Sequence, residues 1–105
     1  MENKQAAGAR CACHHKSTPR SGQELRLLKN RLSRMAGQLS GIGKMLDDNR
    51  YCGDILTQIA AVESALQSFG YVILQDHMET CVVEEIRRGN TGIVDEAVEL
   101  VKKLK

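Results

Sequence analysis

The sequence predicts an all-α protein whose protomer has three helices: two long antiparallel helices and a short C-terminal helix. Aliphatic residues recur every three or four positions through two long segments, which is the spacing of one helix face. Aromatic residues make up only 3% of the chain, so we expect a core of aliphatic side chains, which suits helices packed on helices. The length of 105 residues fits a single small domain.

A change in composition near residue 21 predicts two regions. Residues 1–21 are polar and have no hydrophobic period, which is typical of a disordered arm. Residues 22–105 carry the helical pattern and form the predicted domain. No apolar run approaches the ~18 residues that span a bilayer, and residues 1–16 have no apolar signal region. We therefore expect a cytoplasmic protein with reduced cysteines.

The first helix is predicted to begin after Ser21, because Glu24 completes a capping box with that residue. Its apolar residues alternate at spacings of three and four and form a coiled-coil-like seam. They are Leu25, Leu28, Leu32, Met35, Leu39, Ile42 and Leu46. The sequence from Asp47 to Arg50 breaks this pattern and predicts a short turn.

The second helix is predicted to run from about Tyr51 to Glu85 or beyond. Its apolar stripe is too broad to be covered by the first helix of the same chain, so a second chain is expected to cover the remainder. The turn residues between Gly89 and Gly92 end this helix. A short third helix follows, which we expect to pack across the ends of the helix bundle, near the candidate residues His77 and Cys81.

The charge is divided unevenly along the chain. Residues 1–50 hold 10 Lys and Arg against 4 Asp and Glu, whereas residues 51–105 hold 5 against 9. The basic first half predicts an anionic partner, most commonly nucleic acid. No helix-turn-helix pattern is visible, so the first helix itself is expected to contact DNA phosphates. Its candidate residues, in order of preference, are Arg31, Arg34, Lys29 and Arg26.

Cys52, His77 and Cys81 form the strongest candidate site. His77 and Cys81 are four residues apart on one predicted helix and share a face, whereas Cys52 lies roughly 37 Å away at ~1.5 Å per residue. Two copies of this helix packed antiparallel would bring Cys52 of one chain beside the pair from the other. Two thiolates and one imidazole in low coordination favour Cu(I). Zn(II) would require a fourth ligand, such as water, Glu96 or a residue of the arm.

The arm carries a second cluster of soft ligands. Its members are Cys11, Cys13, His14 and His15. A disordered segment fixes no geometry, so the cluster would either capture metal loosely as an auxiliary site or be an incidental tail. No residues are placed for general acid and base chemistry, and we expect the protein not to be an enzyme.

Three segments together resemble the copper-sensitive operon repressors, a branch of the small all-helical bacterial repressors. They are the sequences from Arg31 to Ile42, from Asp48 to Val62 and from Asp76 to Val82. The resemblance covers residues 24–104. It implies a dimer built as an antiparallel four-helix bundle, paired into a tetramer, that binds operator DNA when empty and releases it on binding Cu(I).

Within this resemblance, Cys52, His77 and Cys81 match the Cys-His-Cys ligand set of the copper branch. Tyr51 matches a tyrosine beside the ligands, and Glu96 matches a glutamate of the third helix if the preceding turn is one residue shorter. The chain departs from the family pattern in the first helix and in the middle of the second. The departing positions are Ala36, Ser40, Gln67 and Ser68.

The sequence therefore predicts a repressor that responds to Cu(I). Two alternatives stay open at this point. One is a cytosolic copper buffer or chaperone, which the cluster from Cys11 to His15 would suit. The other is a thiol or persulfide sensor of the same fold that uses Cys52 and Cys81 directly. Operator binding by the metal-free protein distinguishes a repressor from a copper buffer. The reactivity of a His77→Ala variant distinguishes a metal sensor from a thiol sensor.

Overall fold

Every regular element in the part of the chain that the structure describes is helical. A computed structural model of the protein describes residues 15–104. The elements at residues 52–76, 77–82 and 83–87 follow one another without a break. Residues 15–104 therefore form three continuous helical stretches, as predicted. The elements are α1 (Gly22–Asp47), α2 (Cys52–Asp76), a π-helical segment (His77–Val82), α3 (Val83–Arg87) and α4 (Ile93–Lys103).

The start of α1 confirms the predicted capping box. Ser21 is the N-cap, its hydroxyl accepts from the Glu24 backbone N–H at 3.1 Å, and the Ser21 N–H donates to the Glu24 carboxylate at 2.9 Å. These two bonds satisfy two backbone N–H donors that the start of the helix leaves without partners.

The end of α1 confirms the predicted turn. Asn49 adopts a left-handed conformation with φ 53°. The Asn49 N–H donates to the Leu46 carbonyl at 3.1 Å, and the Arg50 N–H donates to the Met45 carbonyl at 2.9 Å. This pair of bonds is a Schellman ending, and it allows α2 to begin at Cys52.

The π-helical segment corrects one prediction. We expected an unbroken α-helix to about Glu85, but residues 77–82 are wound as a π-helix, in which each turn holds more residues. The Thr80 hydroxyl donates to the Asp76 carbonyl at 2.7 Å, so a side chain competes for a backbone acceptor where the winding changes. His77 and Cys81 therefore lie slightly less than one turn apart, still on nearly the same face.

The described chain divides into two compact units. The first holds residues 15–19 and 71–104, and its core cluster consists of Val82, Ile93 and Ala97. The predicted third helix is α4, and it packs against the π-helical segment. Gly89, at φ 91°, ends α3 with the same Schellman pattern that ends α1.

The second unit, Arg20–Gly70, contains α1 and most of α2. The Arg31 guanidinium lies 5.9 Å from the centre of the Phe69 ring, and these residues are nearly equidistant along the chain from the turn. The two helices of this unit are therefore antiparallel, as predicted. Met35 is its one buried hydrophobic residue among those described, whereas most seam leucines are exposed.

Two further predictions concern the N-terminal arm and the absence of a membrane-spanning helix. Residues 1–14 of the predicted arm lie outside the described residues. Within residues 15–20, Lys16 and Thr18 contact side chains of residues 76–84. Between residues 15 and 104, no helix combines the length and apolar composition needed to cross a membrane.

Candidate metal centre

His77 and Cys81 are brought together by the π-helical segment. Cys81 is buried, and the His77 side chain is 22% exposed. Because α4 packs against this segment, Glu96 approaches His77, and its Oε1 lies 3.9 Å from His77 Nε2. The structure thus places three predicted site residues in one region: the two ligand candidates and Glu96.

His77 Nε2 has an unusual environment. The atom is buried, and among residues 15–104 it has no hydrogen-bond partner. The 3.9 Å separation from Glu96 is too long for a hydrogen bond. Buried polar atoms are rarely left without a partner, because their desolvation is then uncompensated. A bond from a metal ion to this nitrogen would remove that cost, so the imidazole fits the role of a ligand.

The sequence analysis missed Lys16 at this site. Its ammonium donates to Thr80 Oγ1 at 2.8 Å and to Cys81 Sγ at 3.6 Å, and it lies 3.2 Å from Asp76 Oδ2. The Lys16 side chain is only 17% exposed. No hydrophobic period marks this part of the sequence, and the contacts span more than 60 positions, so no local signal could have predicted them.

Cys52 and Tyr51 lie at the start of α2, in the unit Arg20–Gly70. The Cys52 thiol is free and exposed. The Tyr51 ring is also exposed and packs over Gly53, where an added Cβ would come within 2.5 Å of the ring. Glycine is therefore required at position 53 if the ring keeps this position. An exposed thiol at a helix start is accessible to a second chain.

Within one chain, residues 15–104 contain no group of three or more His, Cys, Asp or Glu side chains placed to hold a metal ion. Of the auxiliary cluster, Cys11, Cys13 and His14 lie outside the described residues. His15 is described and is exposed. The proposed auxiliary role of this cluster stays a prediction.

The candidate DNA-binding residues lie on α1. Arg31 and Arg34 line an open cavity of about 290 Å³ together with Met35, Gln38 and Ala65. Lys29 and Arg26 are exposed elsewhere on the same helix. Two guanidinium groups beside one open cavity offer several N–H donors to an anion, and phosphate oxygens match that geometry.

Comparison with known families decides the class of protein. The family described as metal-sensitive transcriptional repressor matches residues 24–103, which is most of the chain. The chain belongs to this family of metal-sensitive transcriptional repressors. The matched residues include α1 from residue 24 onward, α2, both ligand candidates of the π-helical segment and α4.

Individual members of the family show similarity along most of the chain. The copper-sensing transcriptional repressor CsoR of Bacillus subtilis (strain 168) is 37% identical over 91 residues, 86% of each chain. The crystal structure of the copper-sensing repressor CsoR with Cu(I) from Geobacillus thermodenitrificans NG80-2 has a TM-score of 0.79 at 38% identity. That match covers 84% of this chain and 93% of the other.

The family is not restricted to one metal. The structure of the nickel-responsive transcriptional regulator InrS has a TM-score of 0.67 at 35% identity, covering 87% of this chain and 100% of the other. Family membership therefore establishes a metal-sensitive repressor, while the choice of metal depends on the ligands that this chain supplies.

Proposed function

We propose that this protein is a Cu(I)-responsive transcriptional repressor that binds operator DNA when metal-free and releases it when Cu(I) binds. The observation that carries the proposal is the buried, unpartnered Nε2 of His77 on the same short segment as the buried thiol of Cys81. One imidazole and two thiolates are soft donors, which suit Cu(I) better than hard cations. Similarity to two copper-sensing repressors supports the same choice.

The third ligand in this proposal is Cys52 of a second subunit. Cys52 is a free, exposed thiol at the first residue of α2, so an antiparallel partner can reach it. Bound Cu(I) would supply bonds that join the start of α2 in one subunit to the π-helical segment of the other. Glu96 and Tyr51 are the proposed neighbours of the ligands, and Glu96 already approaches His77.

A dimer with an antiparallel four-helix bundle is the smallest assembly that this site requires. The exposed seam, by which we mean the apolar residues that α1 and α2 leave uncovered, supports this dimer. The side chains of Leu39 and Leu66, for example, remain 58% and 56% exposed in one chain. Pairing of two such dimers into a tetramer would offer four copies of α1 to DNA. Lys29, Arg26, Arg31 and Arg34 are the proposed phosphate contacts.

Cu(I) and operator DNA can lower each other's binding affinity without being in contact. Each ligand must only favour a different arrangement of the same helices, and the coupling between them is reciprocal. We expect Cu(I) to lower operator affinity by ~1 to 3 kcal/mol, the usual range of allosteric coupling. His77→Ala should bind operator normally and lose most of this coupling, whereas Arg31→Ala should weaken DNA binding and keep the metal site.

The test measures operator affinity by fluorescence anisotropy at fixed salt, with and without Cu(I), for the wild type and both variants. If Cu(I) leaves the operator affinity unchanged, or if the metal-free protein does not prefer the operator over random duplex, the copper buffer becomes the better explanation. A His77→Ala variant that still responds to persulfide donors would favour the thiol sensor. Parallel titrations with Zn(II) and Ni(II) establish whether the response is specific for copper.

A mixing experiment tests the shared site. Cys52→Ala subunits and His77→Ala/Cys81→Ala subunits each form dimers without an intact site. A heterodimer regains one site if the ligands come from opposite chains. Copper stoichiometry should therefore rise from the homodimer background to about one site per heterodimer, and an unchanged background would refute the shared geometry.

A further inference from the structure

We propose that the auxiliary cluster is an entry site for Cu(I), which a tether formed by residues 16–18 holds within reach of Cys81. The cluster takes up the metal first and passes it to Cys81. The inference rests on the proposed function, because it assumes that Cys81 is a metal ligand. It gives a role to four soft donors that operator binding does not use. They are Cys11, Cys13, His14 and His15.

Two side chains fix the stretch of chain that directly follows the cluster. The Lys16 ammonium donates to Thr80 Oγ1 at 2.8 Å and lies 3.2 Å from Asp76 Oδ2. The Thr18 hydroxyl donates to the Glu84 carboxylate. The tether therefore has two points of attachment, and both lie on or beside the π-helical segment that carries the candidate ligands. Residues 15–19 and 71–104 belong to one compact unit.

The tether also fixes how far the cluster can lie from Cys81. Lys16 Nζ is 3.6 Å from Cys81 Sγ, and Cys13 precedes Lys16 by three residues. Since an extended chain spans at most ~3.6 Å per residue, the backbone of Cys13 lies within about 11 Å of the backbone of Lys16. Residues 11–14 lie outside the described residues. Their covalent connection to Lys16 is enough to bring an arm sulfur to Cys81.

Cys81 needs such an entry route because its side chain is buried. The residue is 7% exposed, and the polar ends of Lys16 and Thr80 lie against its sulfur. A copper complex in solution therefore has little sulfur surface to meet. A donor on a short tether instead supplies the metal at an effective concentration in the millimolar range, on the order of a thousandfold above micromolar copper.

The transfer is a ligand exchange in which no electron is gained or lost. The sulfur of Cys81 forms a bond to Cu(I) while the bond from an arm sulfur to Cu(I) breaks. The thiol proton of Cys81 passes to the departing arm thiolate, so protons and charge balance. Packing from the same chain holds Cys81 in place, and His77 adds a ligand on the same segment. The exchange therefore runs toward Cys81, because ligands held in place bind more tightly.

The first measurement is the Cu(I) stoichiometry of the full-length protein, determined by anaerobic titration against a chromophoric Cu(I) chelator. The wild type should bind about one Cu(I) more per subunit than Cys11→Ser/Cys13→Ser, because that variant loses the two thiolates of the cluster. The tighter equivalent should remain in this variant, and Cys52→Ala should lose it and keep the weaker one. Equal stoichiometry in the wild type and Cys11→Ser/Cys13→Ser would show that the cluster holds no metal and would refute the inference.

The second measurement is the rate at which Cu(I), supplied as its chelator complex, protects Cys81 from a short pulse of iodoacetamide. Alkylation of Cys81 is quantified by mass spectrometry, and each variant is compared with its own metal-free form. At micromolar protein, Cys11→Ser/Cys13→Ser should be protected at least ~10-fold more slowly than the wild type, because it lacks the tethered donor. The final extent of protection should be the same, since the ligands at Cys81 are unchanged.

A tether variant separates the position of the cluster from its presence. Lys16→Met/Thr18→Val removes both attachments and keeps the arm cysteines, and its Cys81 should also be protected more slowly than in the wild type. Lys102→Met is the control: it removes a lysine charge from the same unit, where the ammonium pairs with Glu99. Its rate should equal that of the wild type. Protection of the tether variant at the wild-type rate or faster would show that the tether does not guide transfer.

The outcomes distinguish this inference from the proposed function. If Cu(I) lowers the operator affinity of the wild type while Cys11→Ser/Cys13→Ser is protected at the wild-type rate, the sensing function stands and the entry site is wrong. If Cu(I) never protects Cys81 in the wild type, both proposals fail together.

Discussion

The two compact units of this chain differ in how their apolar residues are covered. In the unit of residues 15–19 and 71–104, Cys81, Val82, Ile93 and Ala97 are buried by the chain itself. In the unit Arg20–Gly70, Met35 is the one buried hydrophobic residue, and large leucines along α1 and α2 stay exposed. The two candidate ligands His77 and Cys81 therefore lie in a region with its own core, whereas the basic helix lies in a region whose apolar residues stay exposed in one chain.

This difference has a functional consequence. Packing from the same chain can hold Cys81 in place before a metal arrives, whereas Cys52 is exposed and would be fixed by the second subunit. A surface that responds to the metal must instead have two arrangements of similar free energy, and an interface between subunits can supply them. We infer that the exposed seam is the element whose arrangement changes, and that the π-helical segment is the fixed reference.

The largest expected effect comes from placing a charge on the exposed seam. Leu39→Glu should dissociate the assembly, because it removes the ~1.5 to 3 kcal/mol of burying a leucine and adds a carboxylate that must lose water. Symmetry doubles the effect in a dimer. Sedimentation at micromolar concentration should show a monomer or an unfolded chain, whereas the wild type should be at least a dimer.

Leu27→Glu is the control for this experiment. Leu27 is 56% exposed, close to the 58% of Leu39, but at 100° per residue it points about 120° away from Leu39. The assembly of Leu27→Glu should match that of the wild type. Equal behaviour of the two variants would show that the exposed seam is not the interface.

The sequence predicted the helical framework because its signals are local. Ser21 and Glu24 specify the start of α1 through side chains three residues apart, and Gly89 specifies the end of α3 through its own conformation. The exposure of Leu66 agrees with the prediction that one chain cannot cover the apolar stripe of the second helix. These features depend on periodicity and capping, which a single sequence displays directly.

The site was predictable only in part. The pairing of His77 with Cys81 follows from their spacing, but the change to π-helical winding depends on a competition for the Asp76 carbonyl, which periodicity does not reveal. Lys16 was missed because its partners are distant in sequence and its surroundings are polar. The sequence thus identified candidate ligands, while the structure identified the groups that surround them.

A smaller effect should test the core of the unit that holds residues 71–104. Ile93 is fully buried at the start of α4, so Ile93→Ala should cost ~2 to 5 kcal/mol of unfolding free energy through lost burial and a cavity. Val94→Ala, at a neighbouring exposed position, should cost far less. Denaturant unfolding at fixed protein concentration measures both. If the two variants lose equal stability, the core around Val82 and Ala97 does not support this unit.

Two glycine substitutions should act with opposite signs. Gly89 has φ 91°, and an alanine there pays about 1 to 2 kcal/mol for a left-handed conformation. Gly43 lies inside α1 with open space around its Cβ position, so Gly43→Ala should stabilise by about 0.5 to 1 kcal/mol. Thermal unfolding of both variants, compared at one concentration, tests the pair. Destabilisation by Gly43→Ala would mean that another chain packs closely against this position.

The smallest expected effect concerns how the basic helix presents its charge. Phe69 lies under the Arg31 guanidinium at 5.9 Å, and such a contact contributes about 0.5 to 1 kcal/mol. Phe69→Leu keeps every charge but removes the aromatic face that orients Arg31 toward the cavity it shares with Arg34. Operator affinity should fall about two- to fivefold, while its dependence on salt stays the same because the number of phosphate contacts is unchanged.

Arg31→Ala should instead reduce the salt dependence by about one phosphate contact. Fluorescence anisotropy across a series of salt concentrations distinguishes the two variants. An altered salt slope for Phe69→Leu would mean that Phe69 supports the fold of the hairpin rather than the orientation of one arginine.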